Sequence, residues 1–230
     1  MKRGGKVPAA VSANPSPSAF VLSRVYIAQF LYLLETGNFW YNKSMSEKFK
    51  MENRNISEEL QKLDVARKEV ENLSDKLGLK IDQGIKETVA VFRAMDFPTE
   101  SSCAGHTNES GGEGYGFPYV RVYAPAPQGW AEDKTNKELG EKWKQENLKF
   151  RLKIEPLLEE FNKMRTSTND ALLHLDNMGL FGAFTVESIG VKNSKKIASK
   201  EEAVVKTKLF QEEMRLFTEF LINKFLNKNS

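Results

Sequence analysis

The chain has 230 residues, 40% of them hydrophobic and 28% charged, which suits one soluble globular domain with some extra length. Its one cysteine, Cys103, excludes an intramolecular disulfide and makes a reducing, cytoplasmic compartment the expected one. The net charge of +3 is uneven: residues 1–50 hold seven Lys and Arg against two acids, and residues 51–230 hold 27 against 29. The basic excess sits in the leader, so nucleic acid is not indicated as a partner of the near-neutral remainder.

Residues 1–18 are rich in Gly, Pro, Ser and Ala and cannot bury a core, so they are expected to be disordered. Residues 19–34 form a strongly apolar run with three readings. A membrane span needs about 20 apolar residues, and this run is shorter and contains Arg24 and Gln29. A signal peptide needs a small-residue cleavage site after the run, and the following Glu-Thr-Gly-Asn-Phe-Trp is not one. The third reading is a spurious extension, with Met45 or Met51 as the true start. A membrane span is disfavoured, and residues 1–44 are expected to be dispensable for folding. Residues 1–50 are accordingly assigned to an N-terminal extension and residues 51–230 to a single domain.

From Ser57 the pattern becomes regular. Leu60, Leu63, Val70, Leu73 and Leu77 recur at helical spacing, and Gly78 supplies a left-handed stop. Asp82 is placed to cap a second helix with Ile85, Val89 and Phe92 on one face, ending near Asp96 ahead of Pro98. Residues 99–103 continue as a short strand. In Pro118-Tyr-Val-Arg-Val-Tyr-Ala124, Tyr119, Arg121 and Tyr123 alternate against Val120 and Val122, which reads as a second strand.

A helical stretch over residues 134–165 presents Leu139, Trp143, Phe150, Ile154, Leu157, Phe161 and Met164, with Pro156 kinking it or opening a new helix. Residues 171–175 and 181–189 are two further strands, joined by the turn Asp176-Asn177-Met178-Gly179. A last helix over residues 200–226 aligns Phe210, Met214, Phe217, Leu221 and Phe225. About four helices and four strands, arriving as hairpin-like pieces, predict an α+β fold with a small, mainly antiparallel sheet.

The chemistry is expected in residues 99–119. Cys103 and His106 lie three apart around Gly105, and Gly111, Gly112, Gly114 and Gly116 follow with Glu109 and Glu113 among them. Three uses suit this segment. A thiolate is a nucleophile that a nearby imidazolium activates. Sulfur and imidazole are metal ligands. Backbone N–H groups around small residues grip anions, with Ser101 and Ser102 adding hydroxyls.

Each use has a plain structural rival. A lone cysteine is usually a small buried hydrophobe, and a glycine-rich loop is often only mobile. The chain offers three N or S ligands, Cys103, His106 and His174. A closed zinc site needs four, and zinc here would need a carboxylate or an open water position, so no metal is assigned and the purified protein is expected to lack stoichiometric zinc. His174, in Leu-Leu-His-Leu, reads as a hydrogen-bonded sheet histidine and is the remaining imidazole available to a site. Tyr119 and its aromatic neighbours line a ligand pocket, stack on bases or fill core and half-buried strand positions, and Trp130 is a lid or a packing anchor. Gly182 permits a close backbone approach.

Phe97-Pro98-Thr99, then Ser102-Cys103-x-Gly105-His106, then Pro118-Tyr119-Val120 resembles a family of small, uncharacterised bacterial proteins. These share a Thr-x-x-Ser-Cys-x-Gly-His loop followed by a Pro-aromatic-Val strand. Gly179-x-Phe181-Gly182-Ala183-Phe184 fits the same pattern, and the resemblance spans roughly residues 57–225. A second, weaker likeness covers eight residues. The Thr-Thr-Ser-Ser-Cys-Ser-Gly-Arg loop of the tRNA wybutosine-synthesis methyltransferases is similar to residues 99–106, with His106 in place of the arginine. It implies a nucleoside-related ligand without implying methyl transfer.

The resulting expectation is a pocket built from residues 99–119 and closed by the Trp130 loop or by residues 181–184. Gly105 folds His106 back toward Cys103, the pair stays open to solvent on one side, and the thiol titrates below its usual value. Three functions follow. The first is a small-molecule or nucleotide-related enzyme with Cys103 as nucleophile or ligand and His106 as acid–base. The second is a non-catalytic module that grips an anion. The third is an interaction protein that dimerises through its helices. No Walker loop, zincin helix or nucleophile elbow is present. Cofactor and oligomeric state are left unassigned.

Overall fold

The computed structural model describes residues 43–74, 78–106, 116–196 and 199–227, and the side chains of residues 43–55 and 193–196 are outside the description. The chain divides into two compact units, Met1–Lys50 and Met51–Ser230. Residues 1–42, with the apolar run at 19–34, lie outside the described residues. Among the described residues no helix is long and apolar enough to cross a membrane.

Four α-helices and four strands are described: α1 Lys43–Asn72, α2 Lys86–Ala94, β1 Thr99–Cys103, β2 Tyr119–Val122, α3 Lys137–Lys163, β3 Leu173–Met178, β4 Ala183–Ser188 and α4 Lys200–Leu226. The strands form one antiparallel sheet in the order β1-β2-β4-β3, so the fold is α+β. Cross-strand partners share a face, which fixes which side chains meet. Val120, Val122, Phe184, Val186 and Leu173 form the inner face, all buried with Phe92 of α2, Ile154 and Phe161 of α3, and Phe217 and Leu221 of α4. The helices therefore cover one side of the sheet.

The opposite face is polar. Cys103, Tyr119, Glu187 and His174 share one row across the four strands, and Ser101, Arg121, Thr185 and Asp176 share the next. Glu100 is an extra residue in β1, because the register shifts between Thr99 and Ser101.

Periodicity placed the helical faces well where they meet the core. All five aligned residues of α4 are buried. In α1, Leu63 and Val70 are buried with Ala66, whereas Leu60 is exposed. That helix begins at Lys43 and ends at Asn72, so Leu73 follows it, and Leu77 is outside the described residues. Helix α2 is short and buried on nearly every side, Thr88, Ala90 and Val91 included.

Helix α3 runs continuously through Pro156, capped by Asn136, whose side chain accepts from the Leu139 N–H at 3.1 Å. Met164, expected on its apolar face, is exposed beyond the helix end.

The β3–β4 connection differs from the expected turn at residues 176–179. Asp176 and Asn177 are in the ladder, paired with Thr185 and Phe184, and the turn moves to Gly179-Leu180-Phe181-Gly182. Both glycines have positive φ, 67° and 73°, where a side chain is strained. Ladder pairing over the full length of β3 outweighs the local turn preference of Asp-Asn.

Candidate functional site

Cys103 ends β1 opposite Tyr119. The chain then turns at Gly105, with φ 83°, and a Cβ there would lie 2.7 Å from Pro118 Cδ. Only glycine fits this position. The turn brings His106 alongside Gly116, where two backbone bonds lock it: His106 N–H donates to Gly116 O at 2.8 Å and Gly116 N–H to His106 O at 3.0 Å. The imidazole lies over Gly116, close enough that a Cβ there would meet Cε1 at 2.8 Å. Nδ1 is then 3.5 Å from Cys103 Sγ. The Gly105 N–H also donates to that sulfur, at 3.3 Å.

Two residues that sequence reasoning missed complete the arrangement. Asp82 precedes the 3-10 turn Gln83–Ile85, and its side chain makes no cap bond there. Its Oδ2 instead accepts from the Ala104 N–H at 3.2 Å. Gln211 of α4 donates from Nε2 to Ala104 O at 3.1 Å and Gly105 O at 2.9 Å. The loop is thus held from one side by the segment before α2 and from the other by α4. Donor atoms of Asp82, Cys103 and His106 consequently lie within 4.8 Å of one another, with Cys103 buried and the other two exposed.

The electrostatics overturn one expectation. Burial pushes the Cys103 thiol up from its ordinary value, the Asp82 carboxylate pushes the same way, and the Gly105 N–H only partly opposes them. The resting sulfur at neutral pH is a thiol, not an activated thiolate.

The remaining candidate residues scatter. Tyr119 is the cross-strand neighbour of Cys103. Ser101 shares the outer face with Arg121, its Oγ buried and without a hydrogen-bond partner. Ser102 is on the opposite face, since successive strand residues alternate. His174 is on the same row as Cys103 but on the far edge strand, three strand spacings or about 14 Å away. It is not hydrogen-bonded through Nε2, which faces Glu187 Oε1 at 3.8 Å. Trp130 is a packing anchor: its ring centroid lies 4.8 Å from that of Phe181 and 5.5 Å from that of Trp143. Phe181 belongs to the β3–β4 turn, at the end of the sheet away from the Cys103 row. Glu109 lies outside the described residues.

A cleft of about 380 Å³ runs beside β1, lined by Leu79, Lys80, Asp82, Arg93, Ser101 and Ser102 among others. It is walled by the segment before α2 and by α2 itself, so neither the Trp130 loop nor residues 181–184 closes it. Fold and site together define an α+β protein with a Cys–His–Asp cluster at an edge strand. No family model, curated protein or solved structure matches the chain.

Proposed function

We propose that this protein is a small-molecule enzyme whose reacting groups are Cys103, His106 and Asp82. The observation that carries the reading is their convergence within 4.8 Å at one strand end. A structural cysteine needs no imidazole at 3.5 Å and no carboxylate beside it. The thiol gives up its proton in one of two ways: to His106 as sulfur attacks an electrophile, or on binding a cation. In the first case the Asp82 charge stabilises the imidazolium that forms. The adjoining cleft, where Lys80 and Arg93 are balanced by Asp82 and Glu100 beside Ser101 and Ser102, suits a polar substrate. A nucleotide-related substrate fits that description.

The test is alkylation of Cys103 by iodoacetamide in chelator-stripped, folded protein, followed across pH. Native-state alkylation, slowed in His106→Gln, supports the reading. A thiol that reacts only after unfolding makes Cys103 a core residue and removes it.

A further inference from the structure

We propose that Asp82, Cys103 and His106 form a three-ligand site for a borderline-soft divalent cation, zinc by the chemistry of the set, with a fourth position open to water or substrate. The inference rests on the reading of this cluster as the reacting centre and names its cofactor. Thiolate, imidazole and carboxylate are the three side-chain ligand types that zinc takes. Magnesium and calcium prefer oxygen throughout, so a sulfur and a nitrogen in a set of three disfavour them.

The distances fit. With Zn–S of about 2.3 Å and Zn–N of about 2.0–2.1 Å, a tetrahedral angle at the metal separates sulfur and nitrogen by about 3.5 Å. Cys103 Sγ and His106 Nδ1 stand 3.5 Å apart without any metal to draw them together. The third ligand is close: Asp82 lies within 4.8 Å of both, is exposed, and is tethered by the Ala104 N–H at 3.2 Å through one oxygen only.

Charge points the same way. Metal binding displaces the Cys103 proton, and one divalent cation then neutralises the thiolate and the Asp82 carboxylate together. The outer contacts are those a metal site uses, with the Gly105 N–H on the sulfur and the Asp82 carboxylate held by a backbone donor. Exposure of Asp82 and His106 leaves an entry path and room for the fourth position. Among the described residues His174 is three strands away and the set stands at three, the number of protein ligands in catalytic zinc sites.

The experiment titrates the chelator-stripped full chain with Zn²⁺ by calorimetry and with Co²⁺ by absorption. Mg²⁺ is the control cation, and circular dichroism confirms folding of each variant. The expected result is one Zn²⁺ or Co²⁺ per chain, a thiolate-to-cobalt charge-transfer band, no binding of Mg²⁺, and protection of Cys103 from iodoacetamide. Cys103→Ser abolishes the band, and Asp82→Asn weakens binding about tenfold or more. Absence of stoichiometric binding, or equal binding by Cys103→Ser, overturns the inference. If no metal binds but Cys103 alkylates in the folded state at a rate set by His106, the metal site falls and the enzyme reading stands. A thiol inert to metal and alkylating agent alike removes both.

Discussion

Replacing Gly116 with alanine tests the site without removing any of its chemical groups. A Cβ at this position would lie 2.8 Å from His106 Cε1, 3.0 Å from Nε2 and 3.1 Å from Nδ1, whereas ordinary contact begins at 3.4 Å. The ring must therefore move by about 0.6 Å at Cε1 to reach ordinary packing distance. With Nδ1 at 3.5 Å from the sulfur, a shift of that size either overlaps Cys103 or breaks away from it. His106 is exposed, so the open direction is outward and the contact is lost.

Loss of one hydrogen bond costs about 1 kcal/mol, and Gly→Ala restriction of the unfolded chain returns about 0.4–1 kcal/mol, so net stability changes by less than about 1 kcal/mol. Reactivity should fall much further, by about tenfold or more, because base assistance by a positioned imidazole is worth about 10²–10⁴ in a proton-transfer step. The assay pairs urea melts with native alkylation of Cys103 across pH, using His106→Gln as reference. Gly116→Ala should track His106→Gln in alkylation and the wild type in its urea midpoint. Wild-type alkylation in Gly116→Ala would refute the placement of the ring. A collapse of the urea midpoint would refute its freedom to swing out.

Three further outcomes follow from the packing. Asn147 is fully buried, accepts from the Ala124 N–H at 2.8 Å and donates to Trp143 O and Phe181 O at 3.0 Å each. Asn147→Leu should cost about 3–5 kcal/mol in denaturant unfolding, since it strands the Ala124 N–H and the Phe181 carbonyl; a cost below about 1 kcal/mol would contradict this account. Thr185 is buried and its Oγ1 has no hydrogen-bond partner, so Thr185→Val should raise stability by about 1 kcal/mol, and a loss would show that the hydroxyl is satisfied.

Glu212 titrates below the usual carboxylate range because Arg215 donates to both its oxygens, at 2.6 and 2.8 Å, against a smaller opposing effect of burial. Its folded value is depressed, so its contribution to stability is full above the unfolded value of about 4.3 and is lost as pH falls through the folded one. Carboxyl NMR titration should show Glu212 moving up in Arg215→Ala, and the melting difference between the two proteins should shrink in acid.

The elements that could be read from the sequence are those whose apolar period is set by the helix-covered face. Helix α4 is the clearest case: Met214, Phe217, Leu221 and Phe225 join the core formed with the sheet and α2, and Phe210 packs with Phe117 and Ala171. Where period and tertiary contact part, sequence reasoning fails in specific ways. Leu60 fits the period of α1 yet is exposed, since among residues 56–72 of that helix burial is confined to Leu63, Ala66 and Val70. Asp176-Asn177 carries turn chemistry, but Asn177 pairs with Phe184 in the ladder. Meanwhile Phe181 is drawn to stack on Trp143 at 4.7 Å, which leaves Gly179 and Gly182 to make the reversal. Trp143 in turn donates its indole N–H to Ala124 O at 2.7 Å, a partner that local sequence does not reveal.

The site divides along the same line. Cys103, Gly105 and His106 are legible together because one turn links them, and a glycine between a thiol and an imidazole is a local signal. Asp82 is 22 residues from its partner Ala104, and as an Asp ahead of a helix it looks like a cap. It is freed from that role because the 3-10 turn that follows needs no side-chain bond. Gln211 is harder still. Its partners are the main-chain oxygens of Ala104 and Gly105, which any residues would offer, and 107 positions separate it from the first. No pattern of side chains could announce such a contact. The thiol's rise has the same origin, because it depends on burial and on Asp82, both products of the strand edge meeting the segment before α2. Geometry set by tertiary contact can also be changed by tertiary contact. A substitution at Gln211 would loosen the turn that presents Cys103 and His106 while leaving every reacting group in place.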